Sequence, residues 1–182
     1  MYYNLPVGAP KIAKSVSRFH RLLQDIVASG LSSLGFDVVI EEPLPEGLIA
    51  DVYGESPWGS IIVEVETGFV DPQMLGIAED YLTAKIAWKS VRYSRYADYF
   101  AIATPSFVNL PIPKVLTLKD RSPGEIAVLL SLLRGIMKTN GKLGIEDLMN
   151  AQLDLLIRIN ISSRSLEFKW LSHNPYTKPD II

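Results

Sequence analysis

The sequence predicts a mixed α/β fold, because two kinds of apolar pattern alternate along its 182 residues. Long segments repeat apolar residues every three or four positions, as amphipathic helices do, and shorter segments are alternating or continuously apolar, as strands are. A composition of 48% hydrophobic and 21% charged residues is typical of a globular chain. We expect a single domain, with an α/β core in residues 1–120 and a helical hairpin and tail in residues 121–182 packed on it.

The predicted core consists of two long helices and a series of short strands. A helix over residues 10–34 carries an apolar stripe, and a second helix over residues 71–96 begins at Asp71, with Pro72 at its first helical position. Three strands separate these helices, and a fourth follows the second helix. The predicted strands are residues 36–40, 48–53, 61–66 and 98–104, with a short edge strand at 114–118.

The C-terminal part is predicted to be a helical hairpin. Ser122 begins a capping box with Pro123 at the first helical position, and Asn-Gly at residues 140–141 supplies a stop. A second helix is expected over residues 145–159, followed by a strand-like alternation over residues 166–171. The hairpin is so rich in Leu and Ile that both its sides should be buried, against the core or against another subunit. We therefore expect a homodimer.

Three carboxylates fall on two neighbouring predicted strands. Side chains alternate along a strand, so Glu64 and Glu66 share one face, and a hairpin through residues 54–60 would bring Asp51 close to Glu64. Converging carboxylates repel one another unless a cation lies between them, and Mg²⁺ needs only one or two carboxylates besides water and substrate phosphate. The pattern therefore indicates either a divalent-metal site or the solvated face of an amphipathic hairpin.

The order helix, three strands, helix, strand, with acids on the second and third strands, resembles the PD-(D/E)XK nuclease superfamily over about residues 11–120. In that family an Asp on the second strand and a (D/E)-x-K motif on the third form the metal site. The matching residues here are Asp51 and Glu64-Val65-Glu66. One departure affects the chemistry, because Glu66 stands where the family usually has Lys.

The resemblance implies a restriction endonuclease-like αβββαβ core and a deoxyribonuclease that depends on Mg²⁺ or Mn²⁺. It implies that Asp51 and Glu64 hold the metal, with the carbonyl oxygen of Val65 as a further ligand. Glu66 would orient or deprotonate the attacking water or bind a second metal, and Lys85 on the following helix would supply the missing cation. The alternative is a nuclease fold that has lost cleavage and serves as a nucleic-acid-binding or assembly subunit.

Basic residues on both long helices are candidates for contacts with DNA phosphates, although a solvated helix surface would explain each one taken singly. Within the first helix, His20 is expected to be packed or exposed rather than catalytic. Gln24 or Asp25 could replace a Glu that this helix adds to the metal site in several related nucleases. The candidate phosphate-binding residues are Lys14, Arg18 and Arg21 on the first helix and Lys89 and Arg92 on the second.

Composition excludes several other classes of protein. The sequence has no cysteine, which excludes disulfides, thiolate metal sites and a cysteine nucleophile. It also lacks a Gly-rich phosphate loop and a Gly-x-Ser-x-Gly elbow. A net charge of −2 means that any affinity for DNA must come from a local basic face. The most apolar segment, residues 126–137, contains Arg134 and is too short to span a bilayer, so we expect a cytoplasmic protein without membrane contact.

Overall fold

A computed structural model describes residues 17–137, 139 and 143–171 of the chain. The helices are α1 (Arg18–Ser33), α2 (Ala78–Tyr93), α3 (Pro123–Ile136) and α4 (Ile145–Asn150). The strands are β1 (Asp37–Leu44), β2 (Leu48–Ser56), β3 (Gly59–Val65), β4 (Tyr99–Pro105), β5 (Leu155–Asn160) and β6 (Ser165–Trp170).

The six strands form one sheet in which the spatial order follows the chain. β1, β2 and β3 pair antiparallel through short turns, and β5 and β6 do the same. β3, β4 and β5 are parallel, because α2 and then α3 and α4 return the chain to the opposite end of the sheet before the next strand begins. The parallel strands therefore occupy the centre of the sheet.

Helices cover both faces of this sheet. On one face, Leu23 of α1 belongs to a buried cluster with Val63 of β3. On the other face, Ile86 of α2 and Ile126 of α3 share a cluster with Ile62. Burial on both faces is the normal environment of central parallel strands, and it encloses the acidic end of β3 between helices.

The predicted mixed α/β fold is confirmed, and its first six helices and strands follow in the predicted order. α1 begins at Arg18, where the Ser17 hydroxyl accepts the His20 N–H at 3.1 Å, and the predicted earlier turns, residues 10–16, lie outside the described residues. The segment Pro72–Ile77 forms 3₁₀ turns ahead of α2, and the Asp71 side chain caps them. β1 continues to Leu44, beyond its predicted end.

The predicted helical hairpin is wrong in its second half. α4 ends at Asn150, and residues 155–159, predicted as the end of a long helix, belong to β5 between β4 and β6. The residues from Leu155 to Ile157 are all buried, and Leu155 and Ile157 belong to the hydrophobic cluster that contains Leu23 of α1. A short, continuously apolar run fits a buried strand as well as a helix, and here pairing with β4 decides between them. The predicted strand at residues 166–171 is confirmed as β6.

Two smaller predictions around α3 also need correction. The predicted edge strand at residues 114–118 is a 3₁₀ turn, Lys114–Thr117, because β5 occupies the edge of β4 that such a strand would need. Within the described residues, Ser122 caps α3 through its backbone carbonyl, which accepts the Ile126 N–H at 3.1 Å, rather than through its side chain. The predicted stop at residues 140–141 lies outside the described residues.

The helices of the described ranges are short. The longest of these, α1 and α2, have 16 residues each, and none of them combines the length and the apolarity that crossing a bilayer requires.

Arg121 ties the segment before α3 to the end of α4. Its guanidinium donates to the carbonyl oxygens of Leu116 at 3.0 Å, Leu118 at 3.1 Å, and Leu148 and Met149 at 2.8 Å each. The last carbonyls of a helix have no partners within the helix, so this side chain satisfies groups that would otherwise need water.

We predict that Arg121→Lys lowers the free energy of unfolding by about 1–3 kcal/mol, because an ammonium cannot reach all four carbonyls in the fixed geometry of a guanidinium. Urea denaturation followed by circular dichroism measures the change. Arg18→Lys, the same substitution at an exposed position, is the control. Equal stability of the two variants would contradict the structural role of Arg121.

Candidate functional site

The three predicted carboxylates converge where β2 and β3 separate, between α1 and α2. The Asp51 N–H donates to Glu64 Oε1 at 3.0 Å. The side chain of Asp51 is 19% exposed, whereas those of Glu64 and Glu66 are almost completely buried. Buried carboxylates are rare unless they are paired, so this is a built cluster rather than the solvated face of a hairpin.

A local break in the sheet creates the site. Glu41, opposite Asp51 on β1, has a φ of +59°, a left-handed conformation that residues other than glycine seldom adopt. The ladder between β2 and β3 runs from the turn back to Val52 and does not include its neighbour Asp51. In its place, the Asp51 N–H bonds to the Glu64 carboxylate, and the Val65 N–H donates to Asp51 Oδ2 at 2.8 Å. Side-chain carboxylates thus replace two backbone acceptors at the point where the strands diverge.

Helix α1 holds the other oxygen of Asp51. His20 Nε2 donates to Oδ1 at 2.9 Å, and Gln24 Nε2 donates to the same oxygen at 3.1 Å. Gln24 is therefore brought into the site as expected, whereas Asp25 is exposed. The sequence analysis missed His20, although its i, i+4 spacing from Gln24 places the two on one helix face and could have found it.

Lys89 of α2 lies at the centre of the cluster. Its Nζ is 3.2 Å from Glu64 Oε2, 3.8 Å from Asp51 Oδ2 and 4.0 Å from Glu66 Oε2, and it donates to the Val65 carbonyl oxygen at 3.0 Å. Its side chain is only 18% exposed. Of the two interpretations left open for the basic residues of α2, a phosphate-binding surface and a solvated helix face, neither describes Lys89, because this lysine points into the protein toward the acids.

Lys85, one turn earlier on α2, contacts Glu66, as the resemblance implied. The Lys85 Nζ donates to Glu66 Oε1 at 2.9 Å, and the same oxygen accepts the Gly68 N–H at 3.1 Å. Glu66 Oε2 faces Lys89 instead. Two lysines of α2, Lys85 and Lys89, thus face the carboxylate of Glu66.

The charges of the cluster control each other's ionisation. Burial raises the pKa of Glu64 to about 7, together with the negative charge of Asp51, while the Lys89 ammonium acts in the opposite direction. Burial also opposes ionisation of Asp51, but the hydrogen bond from His20 and the charge of Lys89 outweigh it and keep the Asp51 pKa below its ordinary value. For Lys89, the nearby carboxylates outweigh burial and raise its pKa, so it remains an ammonium at neutral pH.

The remaining predicted phosphate-binding residues with described positions lie on α1 and α2 in different surroundings. Arg18 is exposed, and Arg21 pairs with Glu41 at 3.4 Å. The guanidinium of Arg92 stacks over the ring of Trp88, with 5.6 Å to its centroid. Lys14 lies outside the described residues. A role of these cations in binding nucleic acid stays a prediction.

The oxygens proposed for a metal surround an ammonium in this structure. Carboxylate and carbonyl oxygens are the donors that Mg²⁺ and Mn²⁺ prefer, so the chemistry of Asp51, Glu64 and the Val65 carbonyl suits these ions. However, within the described part of the chain no group of three or more His, Asp or Glu side chains has an arrangement that could hold a metal. Gln24 Oε1 is buried beside Asp51 and has no hydrogen-bond partner among the described residues.

Comparison with known proteins adds little to this geometry. No family model and no curated protein matches the sequence. Among solved structures, the chain is similar to SfsA of Pyrococcus furiosus, determined in complex with Ca²⁺, with 15% sequence identity and a TM-score of 0.31. The match covers 85% of this chain and 61% of that one, so this chain spans less than two thirds of the length of that protein. A function for this chain therefore has to be inferred from its own site.

Proposed function

We propose that the chain is a metal-dependent nuclease that hydrolyses phosphodiester bonds in DNA. The observation that carries the proposal is the convergence of Asp51, Glu64 and the Val65 carbonyl oxygen on one cation position, now taken by the Lys89 ammonium. These are the three ligands that the resemblance to the PD-(D/E)XK nucleases implies. A buried site with three converging carboxylates is also a costly arrangement that a structural role alone seldom requires.

Asp51, Glu64 and the Val65 carbonyl would hold Mg²⁺ or Mn²⁺. Such an ion, when bound, lowers the pKa of a coordinated water and neutralises charge that develops on the phosphate. His20 and Gln24 orient the Asp51 carboxylate by donating to Oδ1, which leaves the direction of Oδ2 fixed. Partners of this kind hold ligands in position and raise metal affinity.

Glu66 would orient the attacking water and accept its proton. Its Oε1 is fixed by Lys85 and the Gly68 N–H, so Oε2 is the oxygen free to take this role. Lys85, whose side chain is 28% exposed, would stabilise the negative charge of the phosphate beside Glu66. The two residues together would perform the work of the motif lysine that this chain lacks.

DNA is the proposed partner, with Arg18, Arg21 and Arg92 as sequence-independent phosphate contacts. The homodimer and the cytoplasmic location stay predictions. The apolar hairpin no longer supports a homodimer, because residues 155–159 belong to a buried strand rather than to a second helix. Light scattering at micromolar concentration would test the oligomeric state.

One observation favours a second candidate, a nuclease fold that binds nucleic acid or assembles with a partner without cleaving. With all three acids ionised, the ammonium groups of Lys85 and Lys89 leave one net negative charge among Asp51, Glu64 and Glu66, and protonation of Glu64, whose pKa is raised to about 7, leaves none. The cluster is therefore nearly neutral without any metal, and a protein that had lost its metal would have such an arrangement. Wild-type protein that binds DNA but stays inert with both Mg²⁺ and Mn²⁺ would favour this candidate.

We predict that Asp51→Asn and Glu64→Gln each reduce Mg²⁺-dependent DNA cleavage by at least about 100-fold, because each removes a charged oxygen from the metal position. Cleavage of single-stranded, duplex and branched DNA measures the loss, and circular dichroism checks that the fold survives. Asp37→Asn and Glu55→Gln are matched controls, since both acids are exposed on neighbouring strands. Full activity in both site variants would refute the assignment.

We further predict that Glu66→Lys lowers cleavage rather than improving it. The substitution restores the sequence motif, but it places a third cation beside Lys85 and Lys89 and removes the carboxylate that pairs with Lys85 at 2.9 Å. Repulsion between buried like charges should also lower the melting temperature. Rescue of an inert wild type by Glu66→Lys would show instead that Glu66 had silenced a nuclease.

A further inference from the structure

Lys89 and a divalent cation would compete for the same oxygens. The four oxygen neighbours of its Nζ are on Asp51, Glu64, Val65 and Glu66, at distances of 3.0 to 4.0 Å. Three of these residues are the proposed metal ligands. Mg²⁺ binds its oxygens at about 2.0–2.1 Å, so an ion among them would lie in close contact with the ammonium. Like charges in a partly buried site repel strongly, and the two cations cannot occupy it together.

The lysine is placed so that it can leave. Its side chain is 18% exposed, so the cluster opens to solvent along part of this side chain. Lys89 donates to a single backbone acceptor, the Val65 carbonyl, and its other neighbours are ion-pair contacts longer than 3 Å. Lysine is a flexible point charge on a four-carbon stem, so its head can move outward while the backbone of α2 stays in place.

Gln24 is a separate sign that the site is built for more than the lysine. The residue is completely buried, its Nε2 holds Asp51, and its Oε1 has no hydrogen-bond partner among the described residues. A buried amide oxygen without a partner is costly, and such groups in native proteins usually receive a water or an ion. A water bonded to Oε1 would supply this partner next to the Nε2 that holds Asp51.

We infer that Lys89 is an exchangeable internal counter-cation, which neutralises the carboxylates in the metal-free protein and is displaced by the divalent ion. This inference rests on the proposed function and adds the control of metal binding at the same site. Displacement frees an ammonium at the opening of the site, where it becomes available to a phosphate oxygen of the substrate. Lys89 is thus a positioning residue in the metal-free state and a phosphate contact in the loaded one.

The test is calorimetric titration of Mg²⁺ and Mn²⁺ into wild type, Lys89→Met and Lys85→Met, each as the full chain and without DNA. Lys89→Met should bind Mg²⁺ at least about tenfold more tightly than wild type, because no ammonium has to be displaced. Lys85→Met removes the same charge from the same helix, but its ammonium contacts only Glu66 among the three acids. It should therefore gain much less affinity.

A second readout follows the lysine itself. Acetylation of lysines with acetic anhydride, mapped by mass spectrometry, should show Lys89 protected in metal-free wild type and at least about fivefold more reactive at saturating Mg²⁺. Lys119, which is exposed, serves as the internal reference. The melting temperature of metal-free Lys89→Met should be below that of wild type, and Mg²⁺ should raise it more.

The outcomes separate the two proposals. Equal Mg²⁺ affinities of wild type and Lys89→Met, or unchanged labelling of Lys89, overturn the exchange while leaving the metal site intact. Equal gains in Mg²⁺ affinity in Lys89→Met and Lys85→Met would show that loss of either positive charge has the same effect. That result would also overturn the exchange. No binding by any variant overturns the metal site, and with it both the exchange and the proposed nuclease activity.

Discussion

The ion cluster around Lys89 is the interaction on which the rest of the site depends. Glu64 and Glu66 are almost completely buried, and such charges are tolerated only when partners compensate them. Lys89 contacts both of them and Asp51, so it connects α2 to the ends of β2 and β3 through one atom. Removal of Lys89 would leave these buried acids without sufficient compensation, and the positions of the three elements are therefore coupled.

The backbone provides the space for this cluster. Strand pairing between β2 and β3 stops before Asp51, and the left-handed Glu41 on β1 lies opposite the break. The peptide N–H groups of Asp51 and Val65 are satisfied by carboxylates instead of the missing ladder. Because α1 adds His20 and Gln24 from the other side, the acids are held by three layers of the fold and need no mobile loop to assemble.

Part of the fold and of the candidate site could be predicted from the sequence, and the remaining part could not, for physical reasons. Alternation along strands was enough to bring Asp51 to Glu64, whereas the place of Lys85 near Glu66 was implied only by the resemblance to a nuclease family. The helical spacing of Lys85 and Lys89 could not show that Lys89 points inward, because lysines at this spacing are equally compatible with a solvent-exposed helix face. Residues 155–159 were mistaken for a helix because both periodicities fit a short apolar run, and only pairing with β4 distinguishes them. His20 was missed because its partner lies 31 residues away.

The most direct test of a divalent-cation site at Asp51 and Glu64 is a crystal structure of the wild type grown with Mn²⁺, with anomalous scattering recorded to locate the ion. The account predicts an anomalous peak bonded to carboxylate oxygens of Asp51 and Glu64 and to the Val65 carbonyl, with the Lys89 ammonium moved away from them. A Lys89 ammonium still in contact with Glu64, with no peak among these oxygens, would contradict it.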